Sequence, residues 1–230
     1  TGYIADLAII KNPSGNPDYS VPSDKISSST SNLNFLLSAN SIGFKDSSSS
    51  PKTVTTVGTP SIEAWSPYTT DAIEFGTEYR TPETAHEIGS FYFDVSDSTA
   101  QNRGKILIPK STDFNFGTGD FTIEMWLYHR STSTATTVYT LLVDMRTSSG
   151  PSNSVLFGIK KQGSARNPYM YGANNDSTNQ IEVVFSNLEI PLNQWHHLAF
   201  VREGNSLDCY LNGTKDSSNT RTLSGFNLSD

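Results

Sequence analysis

The chain has 230 residues, with 16 basic and 23 acidic side chains, a formal net charge of −7 and one cysteine. That length permits one large domain or two small ones, and a lone cysteine excludes both a disulfide framework and a cysteine-based zinc site. The acidic balance lacks the clustered Lys and Arg of a nucleic-acid footprint, and no apolar run reaches the roughly 20 residues of a membrane helix.

Only 17% of residues are charged and 11% are aromatic, while Ser and Thr make up about a quarter of the chain. Such a composition fits cross-strand packing better than amphipathic helices. Residues 2–10 (Gly-Tyr-Ile-Ala-Asp-Leu-Ala-Ile-Ile) read as a strand. Strict alternation puts Tyr3, Ala5, Leu7 and Ile9 on one face, expected to be buried, with Ile4 and Asp6 on the other. Residues 13–32 carry Pro13, Pro17 and Pro22 among Gly, Asn and Ser, and read as a surface linker. Leu33–Leu37 is a short apolar strand, and Val54 and Val57 mark a Thr-rich one. Residues 59–90 are the least regular part, with Pro60, Pro67, Pro82, Trp65 and Tyr68, and short strands expected around Ile62 and Ile73. A long irregular segment of this kind is more often functional than decorative.

From residue 90 the alternation sharpens. Phe91 and Phe93 alternate with Tyr92 and Asp94, and Ile106-Leu107-Ile108 runs up to Pro109. In residues 121–128, Phe121, Ile123, Met125 and Leu127 share one face and Thr122, Glu124, Trp126 and Tyr128 the other. That is a sandwich strand with an apolar inner face and an amphipathic outer one. Further strands are expected at 138–143, 155–159, 169–171 and 181–185. Residues 195–201 and 207–211 form a hairpin, and Asn212-Gly213 is a dipeptide that accepts positive φ at both turn positions. Many short strands separated by turn residues imply an all-β fold, an antiparallel sandwich or barrel.

Three stretches resemble laminin-G-like, concanavalin A-like jelly-roll domains. They are Gly89–Asp94, then Ile108-Pro109 with Phe114–Trp126, then Asn193–Arg202 with Leu207–Gly213. The resemblance is close over residues 89–213 and loose over 33–88. It implies an antiparallel β-sandwich of the jelly-roll type. Residues 2–9 are also similar to the strand that closes such domains. Residues 1–12 are therefore expected to complete a sandwich, in this copy or a preceding one, as an edge or near-edge strand. Residues 33–230 would then be a sandwich incomplete at its C-terminal end, a window on a tandem array.

Because related jelly rolls include glucan hydrolases, the carboxylates need weighing. Retaining hydrolysis requires two of them about 5–5.5 Å apart, and neither Glu124 nor Glu182 has a partner at alternate-residue spacing. His86-Glu87 lacks a second histidine four residues on. His196 and His197 point to opposite strand faces, so one is expected to pack between sheets or bond a backbone group. No Gly-x-Ser-x-Gly elbow exists, and Gly117-Thr118-Gly119 is better explained by turn geometry than by phosphate binding. The chain is read as no enzyme and as having no metal site of dedicated spacing.

The resemblance leaves a calcium ion open as a cofactor. Asp94, Asp97, Asp120, Asp144 and Asp176 lie in or near loops, where turn stabilisation is the preferred reading. Trp126 and Trp195 are expected to pack within sheets. Trp65, Tyr68, Tyr169 and Tyr171 are the candidates for a glycan-stacking platform. Asn175, Asn212 and Asn227 open N-glycosylation triplets, matches that arise readily by chance in a chain this rich in Asn, Ser and Thr. The signatures look most similar to repeats in phage tail, fibre and head-decoration proteins. The expected function is a non-catalytic structural or adhesive component of a virion, or an extracellular surface protein, partnered by copies of itself, other surface proteins or cell-surface glycans. The alternative is a carbohydrate-binding module of a secreted bacterial adhesin or glycan-active enzyme.

Overall fold

The computed structural model describes residues 2–12, 21, 26–38, 43–63, 67, 90–93, 104–130, 133–146, 154–173, 180–217 and 221–228. In chain order the strands are β1 (Gly2–Lys11), β2 (Leu33–Leu37), β3 (Thr55–Val57), β4 (Ser61–Glu63), β5 (Ser90–Phe93) and β6 (Lys105–Leu107). They continue with β7 (Phe121–His129), β8 (Thr137–Asp144), β9 (Ser154–Gln162), β10 (Ala165–Ala173) and β11 (Gln180–Val184). The last are β12 (Trp195–Glu203), β13 (Ser206–Leu211), β14 (Thr214–Lys215) and β15 (Arg221–Thr222).

The pairing is antiparallel, and the strands form two main sheets. The larger has the order β14-β13-β12-β7-β1-β5-β4, with β2 also on β1 and β15 on β13. The smaller is β11-β10-β9-β8, and β3 and β6 form a separate ribbon. Apolar faces of the two main sheets meet in one core. Phe121 of β7 meets Phe157 of β9 edge-on at 5.8 Å, and Phe157 lies 5.0 Å from Phe200 of β12. Phe121, Ile123 and Met125 are fully buried, as their alternation predicts. This is the antiparallel β-sandwich expected from the strand pattern.

Strand β1 departs from expectation in two ways. It lies inside the large sheet, not at its edge, with β7 on one side and β5 and β2 sharing the other. Its alternation also breaks once. Ala5 opposes Trp126 and Ala8 opposes Glu124, so three steps on β1 match two on β7. The extra residue is absorbed around Asp6, whose φ of 48° is left-handed. Beyond this bulge the phase is inverted. Ile4, Leu7 and Ile9 face the core, while Ala8 and Ile10 join a small apolar cluster with Ile26, Leu33 and Leu36. The expected grouping of Tyr3 and Ala5 with Leu7 and Ile9 is therefore wrong. A period-2 reading cannot anticipate an inserted residue.

The turns follow their residues. Gly204 (φ 56°) turns β12 into β13, and Asn212 and Gly213, at 50° and 78°, close the two-residue turn from β13 to β14.

Candidate functional site

Outward-facing aromatic residues gather on both sheets. On the large sheet, Tyr3 opposes Tyr92 on one side and Tyr128 on the other, and Tyr128 opposes Trp195. One cross-strand row of rings, Tyr92–Tyr3–Tyr128–Trp195, thus spans β5, β1, β7 and β12. Successive centroids lie 4.9, 5.7 and 5.6 Å apart, about one strand spacing each. The rings are inclined by 43°, 79° and 65°, the first pair tilted and the other two edge-to-face, which suits their quadrupoles. All four are half-buried.

Beside that row, Trp126 meets the His197 ring edge-on at 5.3 Å. His197 Nε2 lies 3.2 Å from Glu124 Oε2, and both residues are buried. The methyl side chains of Ala5, Ala8 and Ala199, all fully buried, stand opposite Trp126 and Glu124 and leave them room. Glu124 is outward-facing as expected, yet it is enclosed within this layer. His196 faces the other way. Its Nε2 lies 3.2 Å from the Pro191 carbonyl, and its Nδ1 accepts from Asn212 Nδ2 at 3.0 Å. Burial lowers its pKa, against a smaller raising effect of the Pro191 bond.

On the small sheet, the register places Tyr139 opposite Lys160 on β9, and Tyr169 opposite Gly158 and Val184. Tyr139 and Tyr169 rings are 5.2 Å apart and tilted by 57°. Lys160 Nζ sits 5.5 Å from the Tyr139 centroid and 6.0 Å from that of Tyr169, then reaches Glu182 Oε1 at 2.6 Å. The Glu182 bond raises the Lys160 pKa. Burial pushes the Tyr169 hydroxyl up to about 12, with the Glu182 charge adding to it. Arg146 forks onto Asp144 at the end of β8 through 2.8 and 2.5 Å bonds.

Of the sequence candidates for sugar stacking, Trp65 and Tyr68 lie outside the described residues. Tyr169 and Tyr171 share the outer face of the small sheet. Tyr169 is only 6% exposed, packed beneath Tyr139, and Tyr171 is half-buried. Among the described residues of the small sheet, the exposed large apolar side chains are Tyr139, at 48%, and Leu141, at 43%. Sequence reasoning recognised their strand but passed over both residues; the signal was their alternation with Val138 and Thr140 in a strand without charge before Asp144.

Among the loop aspartates, Asp94, Asp97 and Asp176 lie outside the described residues. Asp120 Oδ1 accepts from the Gly204 amide at 2.7 Å, a turn-stabilising role, and Asp144 holds Arg146. Among the described residues no group of three His, Cys, Asp or Glu side chains could hold a metal ion.

Residues 100–229 match the laminin-G-type family model described as the concanavalin A-like lectin/glucanases superfamily. The chain belongs to that superfamily. The match takes in β6 to β15 and more than half the chain, and it points to a carbohydrate-binding or adhesive role. No curated protein and no solved structure matches the chain.

Proposed function

We propose that this superfamily member is a non-catalytic structural and adhesive surface module, a component of a virion such as a phage tail, fibre or head decoration, built of tandem laminin-G-like domains. The observation that carries this reading is the geometry of the outward rings. A flat sugar stacks best on coplanar aromatic faces. The described pairs on both sheets instead meet at 43–79°, rings packed against each other within the chain that form no coplanar platform.

The carboxylates support a non-catalytic reading. Glu124 and Glu182 lie on the outer faces of different sheets, engaged by His197 and Lys160, and cannot flank one glycosidic bond. The virion assignment rests on the similarity of Phe116–Glu124 to phage structural repeats.

Two measurements test it. Light scattering of the purified chain over a range of concentrations should reveal self-association, and a strictly monomeric protein would remove the structural reading. Immunogold labelling of intact virions from the source should decorate their surface; unlabelled particles would sink the virion half.

One observation favours glycan contact as a second reading. Tyr139 offers an exposed ring with Lys160 above it and Glu182 within reach of Lys160, the mixture of stacking surface and hydrogen-bonding groups that sugars use. A glycan array on which the protein binds, and its Tyr139→Ala variant does not, would establish that reading.

A further inference from the structure

We infer that β8 is a docking edge for a second copy of this chain, and that two copies pair antiparallel through it about a two-fold axis at Thr140. The inference rests on the self-assembling reading above and names the surface that reading lacks.

Strand β8 ends the small sheet, and among the described residues it pairs only with β9. Sheet edges in soluble proteins are normally blunted by Lys, Pro or inward charge, because an open ladder recruits other chains. Thr137–Val143 carries none of these and contains two exposed large apolar side chains, the most exposed among the described residues outside the β3–β6 ribbon. Its backbone is suitably presented. Gly163 N donates to Thr136 O, so Thr136, Val138 and Thr140 are the residues that bond β9. The amides and carbonyls of Thr137, Tyr139 and Leu141 therefore point away from the sheet.

An antiparallel pair has one register in which those outward groups meet and the exposed side chains cover each other. With the axis at Thr140, Tyr139 of each copy opposes Leu141 of the other, and the pair exchanges backbone hydrogen bonds. Charge does not oppose this direction. The Asp144 end of one strand arrives beside the Thr137 end of the other as an Asp144–Arg146 ion pair, and Lys160 there is already held by Glu182. The bulge between Leu141 and Val143 limits the ladder to its central residues, so the contact is short and specific in register.

Sedimentation equilibrium of the full chain should show a concentration-dependent dimer. Leu141→Lys, which buries a charge next to Lys160 of the other copy, should weaken it about tenfold or more with far-UV spectrum and melting temperature unchanged. Thr140→Cys should yield a disulfide-linked dimer on mild oxidation, because non-hydrogen-bonded partners lie about 4.5 Å apart between Cα atoms. Thr137→Cys should not, and native Cys209 is buried and cannot substitute for it. A wild-type chain monomeric at every concentration would overturn this edge and the assembly reading together. A wild-type dimer that Leu141→Lys leaves intact, or that Thr140→Cys fails to cross-link, would overturn the edge alone. If Leu141→Lys does not fold, the cysteine pair decides.

Discussion

Arg202 is 1% exposed, and each of its nitrogens donates to a different loop. Nε reaches Gly204 O at 2.9 Å, Nη1 reaches Gly117 O at 3.1 Å and Nη2 reaches Phe226 O at 3.2 Å. Burial lowers its pKa, while the charge of Asp120 opposes that effect. Arg202→Met would remove the side-chain donor from the Gly204 and Phe226 carbonyls, while Gly117 O keeps the Leu228 amide, and should cost about 3 kcal/mol in urea denaturation. Arg202→Lys should recover little, since one ammonium cannot span three loops. His129 makes a second prediction. Burial first, and positive charge nearby second, lower its pKa from 6.5 to about 4. The unfolded chain then binds the proton that the folded chain refuses. The stabilisation is complete above pH 6.5 and is lost as pH falls toward 4, a change of about 3 kcal/mol. A His129→Gln variant should flatten that part of the stability profile.

At the scale of elements, period-2 alternation found the strands because apolar residues alternate wherever one face is buried. It misplaced β1 because one residue at Asp6 is inserted without any change in composition. Deleting Asp6 would give strict alternation with Ile4, Leu7 and Ile9 still inward and Tyr3, Ala5 and Ala8 still outward. The variant is expected to fold and to keep cooperative unfolding by circular dichroism; loss of the folded state would contradict the bulge as the source of phase. The candidate site was legible in part. Tyr169 and Tyr171 share a face by spacing alone, but Tyr139 covers Tyr169 only through the register of β8 against β9 and β10. The ring row on the large sheet needs four residues from distant parts of the chain in register, which no local pattern announces. The role of Arg202 was hidden for the same reason. The resemblance marked its stretch, and only folding brings Gly117 and Phe226 to it.

The whole molecule is joined by a core that runs without interruption from the large sheet to the small one through Phe121, Phe157 and Phe200. One cooperative unit should follow. In a Trp65→Phe background, fluorescence of Trp126 and Trp195 reports the large sheet, and far-UV dichroism reports both. Their urea transitions should coincide, and separated midpoints would mean that the sheets open independently. The interior position of β1 also has a consequence in time. Its partner β7 begins about 110 residues downstream. At ribosomal speeds of ~5–20 residues per second, β1 waits roughly 5–20 s for that partner to emerge. Until then a nascent apolar strand is available to any neighbouring polysome product. Strand exchange between newly made copies is therefore the characteristic hazard of this topology, and crowded translation is where it would be observed.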